Sequence, residues 1–182
     1  MPAEWHRHSA TWLTYPHNED SWPGKIETIF PSYHLFVKTL AETEHVYINV
    51  LNKQMQEQVA HALHAIGTNM ANISLPVIES NDAWCRDHGP AFLLNRNDAS
   101  KRALVNWNHN AWGGKYPYEL DTEIPLRIAE LLENEGRGVQ VFSPGIVMEG
   151  GSIEVNGCGD LLTTTSCLLN KNRNPHLSQE QI

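Results

Sequence analysis

The segment Ser80-Asn-Asp-Ala-Trp-Cys-Arg-Asp-His-Gly-Pro90 gathers carboxylates, an aromatic ring, a cation and a thiol into one turn-forming stretch. It follows the apolar run Ile73 to Ile78 and precedes another, Ala91 to Leu94. Strand ends that feed Gly-Pro loops are where α/β proteins place chemistry. A carboxylate such as Asp87 can accept a guanidinium through two parallel charge-assisted hydrogen bonds while Trp84 lies against the planar face of the cation. The same residues also suit a capped loop in which Asp87 accepts from backbone amides and Arg86 pairs with Asp82.

Two further segments supply context. Residues 107–118 read Trp-Asn-His-Asn-Ala-Trp-Gly-Gly-Lys-Tyr-Pro-Tyr, and residues 148–157 read Met-Glu-Gly-Gly-Ser-Ile-Glu-Val-Asn-Gly. With these the chain resembles the agmatine deiminase and bacterial-type peptidyl-arginine deiminase family of guanidine-modifying enzymes. The opening, Met1-Pro-Ala-Glu-Trp-His with Thr11-Trp-Leu-Thr-Tyr-Pro-His, is similar to that family's amino terminus. The run Thr163-Thr-Thr-Ser-Cys-Leu-Leu-Asn-Lys-Asn-Arg-Asn-Pro175 is similar to its mid-chain segment. Spaced segments that match in order make chance agreement a weaker explanation than it is for one short motif.

The resemblance implies a reaction and a division of labour. Hydrolysing a guanidinium to a ureido group needs a nucleophile for the central carbon, a proton donor for departing ammonia, and acceptors that hold the cation. In the family a cysteine thiolate attacks, water cleaves the amidino intermediate, and a histidine in a Gly-His-x-Asp motif shuttles protons. Neither that motif nor the family's carboxyl-terminal cysteine segment occurs here. On residues that match, the resemblance assigns Asp87 and Glu149 as the catalytic carboxylates flanking the guanidinium, with Trp84 and Trp112 beside them in substrate binding. Gly150 and Gly151 would let the backbone approach the ligand. Read without the resemblance, Glu149 could be a surface charge beside a glycine bend, and Trp112 a packing element of its loop. Cys85 adjoins Arg86, which would favour a thiolate, yet it is not where the family keeps its nucleophile; His88 and His109 likewise lack the shuttle motif. Cys167, flanked by leucines, reads as a buried thiol. Agmatine is the leading substrate, giving N-carbamoylputrescine and ammonia on the way to putrescine. Peptidyl-arginine is the nearest rival, and a guanidinium-binding piece without turnover is the third reading.

Composition fits a small cationic partner. The formal net charge of −8 argues against nucleic acid, which wants a basic stripe, and is compatible with attracting a cation. Its apolar runs are too short to span a bilayer, and no basic start with an apolar core opens the chain, so no membrane association and a cytoplasmic location are expected. Three cysteines without paired spacing suggest neither a disulfide framework nor a zinc site. Among the ten histidines, His61 and His64 lie opposite the apolar stripe of their helix, so no metal and no cofactor are expected.

The elements that must position these residues alternate. Thr11 to Tyr15, His45 to Leu51, Ile73 to Ile78, Ala91 to Asn95, Ala103 to Trp107, Val139 to Phe142, Ile146 to Val155 and Asp160 to Leu168 read as strands. Gly150-Gly151 would bend the seventh, and Asn156-Gly157 would turn a hairpin. Helices are expected over Lys53 to Ile66, stopped by Gly67, and over Pro125 to Glu135, stopped by Gly136. A third is expected within Ile26 to Leu40, starting at Pro31. This pattern is α/β; the resemblance implies the pentein αβ propeller, five modules around a central channel. Leu177 to Ile182 has the signs of a helix start, with Ser178 as cap and Gln181 in capping-box position. The 182 residues are therefore expected to be the amino-terminal part of one deiminase domain. Its uncovered faces would favour self-association, and a homo-oligomer is expected.

Overall fold

A strand buried on both faces must be covered on both, and His45-Val-Tyr-Ile-Asn49 is such a strand, with Val46, Tyr47, Ile48 and Asn49 all buried. The computed structural model describes residues 1–182, the side chain of Ala99 excepted, and divides into two units, Arg7–Cys85 and Met1–His6 with Arg86–Ile182.

In the Arg7–Cys85 unit, β1 (Ala10–Thr14), α1 (Ile26–Leu40), β2 (His45–Asn49), α2 (Lys53–Ala65) and β3 (Ile73–Ser74) build a parallel sheet with β2 in the centre. Val37 and Ala41 from the end of α1 and Val59 and Leu63 from α2 pack with Val46, Ile48 and Val50 into its core. The buried Asn49 is satisfied by Trp12 Nε1, which donates at 2.8 Å, and by Thr14 Oγ1, which accepts at 3.3 Å. Asn52 accepts from the Met55 amide at 2.9 Å to start α2. Gly67, at φ +74°, ends it, with the Thr68 amide reaching back to the Leu63 carbonyl.

Pro31 does not begin the first helix. That helix runs from Ile26 through Pro31 without interruption; Pro31 and Glu27 are both exposed, so the carbonyl deprived of its amide donor lies on the solvent side. The expected third strand is also shorter: Ile73–Ser74 pair with β2, and beyond Pro76 only a bridge of Val77 with Val50 remains.

In the second unit, α3 (Cys85–His88) is a single turn before the antiparallel pair β4 (Ala91–Asn95) and β5 (Asp98–Val105). The short turn α4 (Ala111–Gly114) and helix α5 (Ile124–Asn134) lead to β6 (Gln140–Phe142), which lies parallel to β5. Ile124, Ile128 and Leu132 are buried on one stripe of α5, and Gly136 follows its end at φ +69°. β7 (Ile153–Val155) and β8 (Leu161–Thr163) form the hairpin, and α6 (Thr165–Leu168) follows. β5 starts at Asp98 and stops at Val105, before Trp107. Ile146 to Ser152 is not strand but a bridge at Val147 and a tight turn at Gly150–Ser152, since its amides serve loop contacts. Residues 165–168, expected as strand, are helical. Ser178 and Gln181 form the capping box around the short turn Gln179–Gln181. Large apolar side chains are exposed on β4, β6 and β8, among them Leu94, Phe142 and Leu162.

Candidate active site around Asp87

The loops after β5 and β6 run side by side. Past the strands, the Asn108 amide donates to the Ile146 carbonyl at 3.0 Å and the Met148 amide to the Asn108 carbonyl at 3.1 Å. This continued pairing brings the 107–114 and 144–151 segments together beside α3.

Asp87 is held from both loops. The Gly151 amide donates to Oδ1 at 2.9 Å, and Trp112 Nε1 donates to Oδ2 at 3.0 Å. Each oxygen keeps acceptor capacity, because an ionised carboxylate has about four lone-pair positions. A side chain at Gly151 would collide with Oδ1, and one at Gly150 with the Arg86 carbonyl oxygen; glycine is what lets the two segments meet. Arg86 pairs with Glu4; in the Arg7–Cys85 unit Asp82 accepts from the Ala83 amide at 2.7 Å, from Asn18 Nδ2 at 3.3 Å and from the Ser21 hydroxyl.

Trp112 is presented by an unusual turn. Ala111 and Trp112 have φ of +45° and +58°, and Gly113 and Gly114 are positive as well. The left-handed region costs an L-residue about 1–2 kcal/mol, so the turn must be held from outside. Asn110 Oδ1 accepts from the Gly113 amide at 3.0 Å, Asn110 Nδ2 donates to the Asn172 carbonyl at 2.9 Å, and Asn172 packs against Gly113. The Trp112 ring sits edge-on to His109 at 5.6 Å and to Tyr116 at 5.9 Å, and His109 edge-on to His88 at 6.2 Å. His109 is buried, and its Nδ1 has no hydrogen-bond partner among the described residues. Burial pushes its pKa below the ordinary histidine value; the nearby Asp87 charge opposes this and the Arg173 charge adds to it.

Glu149 is no surface charge. Its side chain is 5% exposed and accepts from Arg173 Nε at 2.6 Å, while the Arg173 side chain is 10% exposed. Asp87, Glu149 and Arg173 together leave one net negative charge. Trp84 belongs to the Arg7–Cys85 unit, half-exposed with its ring 5.5 Å from that of Trp22. Asp87, Trp112, Glu149 and Arg173 thus lie in one unit, Asp87 bonded to Trp112 and Gly151 and Glu149 to Arg173; Arg173 comes from a segment that neither charge patterning nor periodicity marks, and its signal is a lone arginine flanked by asparagines in a turn. Cys167 is half-buried rather than buried, and none of Cys85, Cys158 and Cys167 is in a disulfide. Among the described residues no group of three or more His, Cys, Asp or Glu is placed to hold a metal ion.

The family model described as Porphyromonas-type peptidyl-arginine deiminase matches residues 1–182. An agmatine deiminase of Pseudomonas syringae pv. tomato is 37% identical over 187 residues, covering 100% of this chain and 48% of that protein. The solved agmatine deiminase of Enterococcus faecalis superposes with a TM-score of 0.82 at 30% identity, over 100% of this chain and 47% of that one. That of C. jejuni with substrate bound superposes with a TM-score of 0.80 at 29% identity, over 98% and 49%. The chain spans about half the length of the relatives it matches. An α/β protein with this match along its whole length belongs to the Porphyromonas-type peptidyl-arginine deiminase family.

Proposed function

We propose that this chain supplies the guanidinium-binding wall of a hydrolase acting on C–N bonds of amidines, of the agmatine deiminase type. The observation that carries this reading is Asp87, fixed by Trp112 and Gly151 beside the loop of the buried Glu149. In this reading Asp87 and Glu149 take opposite sides of the planar cation, and Trp84 and Trp112 border it. Charge-assisted hydrogen bonds of this kind are worth about 1.5–3 kcal/mol each.

The reaction proposed is agmatine plus water giving N-carbamoylputrescine and ammonia, a step toward putrescine. A thiolate adds to the guanidinium carbon, ammonia departs with a proton, and water displaces the thiolate from the amidino intermediate. The thiolate and the shuttling histidine belong, in this reading, to segments outside residues 1–182, and neither Cys85 nor Cys167 takes the role. The fold proposed for the whole is the five-module αβ propeller, with this chain one part of a single deiminase domain. Cytoplasmic location, homo-oligomeric assembly and independence of cofactors belong to the same proposal; no helix among the described residues is long and apolar enough to cross a membrane.

Peptidyl-arginine is the second substrate reading, favoured by the description of the matching family model. Assay of the full-length protein against agmatine and against an arginine peptide, with Asp87→Asn in parallel, tests both. Ureido product from agmatine, lost in the variant, is the expected result. Product from the peptide alone would move the substrate to protein arginine, and product from neither would leave only guanidinium binding.

A further inference from the structure

Arg173 makes a buried ion pair with Glu149 at 2.6 Å, yet no role in guanidine chemistry falls to it. It stands in Asn172-Arg173-Asn174, a triplet that ties down both loops of the site. The Asn172 carbonyl accepts from Asn110 at 2.9 Å, which holds the left-handed turn carrying Trp112. Asn174, itself buried, accepts from the Val147 amide at 2.9 Å and donates to the Val147 carbonyl at 2.9 Å, two residues before Glu149. Between them, Arg173 Nε donates to Glu149 Oε1 at 2.6 Å while its Nη1 donates to Asn172 Oδ1 at 2.7 Å.

A buried carboxylate needs a cation and a fixed set of donors, since removing water from an ion costs several kcal/mol that only good geometry offsets. Arg173 meets that need on one oxygen. Among the described residues no hydrogen bond to Glu149 Oε2 is present, so one face of this glutamate is committed to the protein and the other is free for a second donor. Two carboxylates facing one guanidinium group would carry an excess charge, and Arg173 removes it. An arginine suits this better than a lysine, because its planar fork bonds Glu149 and Asn172 at once.

We propose that Arg173 is a positioning residue for the guanidinium site: it locks Glu149 through Oε1, leaves Oε2 to the substrate, and reduces the site to the single negative charge that a guanidinium neutralises. This inference rests on the reading of Asp87 and Glu149 as the substrate's cradle, and it assigns Arg173 no contact with the substrate.

The test is a double-mutant cycle on kcat/KM for agmatine in the full-length protein, with Glu149→Gln, Arg173→Gln and the pair, each checked for folding by thermal unfolding. A residue acting only through Glu149 has nothing left to lose once Glu149 is neutral. Each single variant is therefore expected to lose at least about tenfold, and the double variant to lie within about threefold of the worse single. Losses that multiply in the double variant would overturn the positioning role, as would an Arg173→Gln enzyme with parental kcat/KM beside an impaired Glu149→Gln. A Glu149→Gln enzyme with parental kcat/KM would instead overturn the cradle reading itself. Should Arg173→Gln fail to fold, Arg173→Lys, which keeps the charge but not the fork, carries the cycle. Its expected loss of about threefold to tenfold should disappear in the Glu149→Gln background, and persistence of the same factor there would refute the proposal.

Discussion

Trp112 Nε1 donates to Asp87 Oδ2 at 3.0 Å from a turn whose backbone is left-handed at Ala111 and Trp112. The indole therefore does more than fill space: it fixes the plane of the carboxylate that would meet the substrate, while Gly151 fixes the other oxygen.

Trp112→Phe keeps an aromatic side chain beside His109 and Tyr116 but removes the donor, along with part of the indole's bulk. The full-length protein carrying it should lose about tenfold in kcat/KM for agmatine, as expected for a hydrogen bond to a charged acceptor. Steady-state kinetics that match the parent would show that this bond does not orient Asp87.

Gly151→Ala puts a methyl group into the space of Asp87 Oδ1. Because overpacking costs about 1–3 kcal/mol, a lower Tm is expected, accompanied by a fall in kcat/KM as Asp87 is pushed aside. A variant with parental Tm and kinetics would mean that the loops are not in the close contact described above.

Acid should weaken this unit through His109. Burial is the leading cause that holds the folded-state pKa below the usual 6.5, so between 6.5 and the lower folded value the unfolded chain binds more protons. The sign follows: the contribution is complete above pH 6.5 and is lost as pH falls toward the folded value. The His88 ring stands edge-on to the imidazole, and the charges of Asp87 and Arg173 act on it. Thermal unfolding at pH 7.5 and 5.5 should show a smaller acid-induced drop in His109→Gln than in the parent, and equal drops would remove His109 from the account.

Much of the scaffold is legible in the residues. The Asn52 cap, the apolar stripe and Gly67 delimit α2, and Pro125 with Gly136 do the same for α5, because local chemistry decides helix ends. The span of α1 is not, since Pro31 is tolerated only through exposure that tertiary packing sets. The stretch around Glu149 reads as strand from its apolar residues, but its amides are taken by Asp87 and by loop pairing, which are long-range events. For the site, Asp87 and Glu149 stand out by type and setting. Their pairings do not: Trp112, though named as a candidate, reaches Asp87 by a left-handed turn that no propensity encodes for Ala or Trp, and Arg173 lies 24 residues beyond Glu149 with nothing local to join them.

Whether Asp87 and Glu149 hold one guanidinium between them is decided by a structure of the full-length protein, its nucleophile disabled and agmatine bound. Guanidinium nitrogens within hydrogen-bond distance, about 3 Å, of both carboxylates, with Arg173 still on Glu149 Oε1, is the result predicted. Agmatine bound elsewhere, or with its guanidinium on neither carboxylate, would contradict the account.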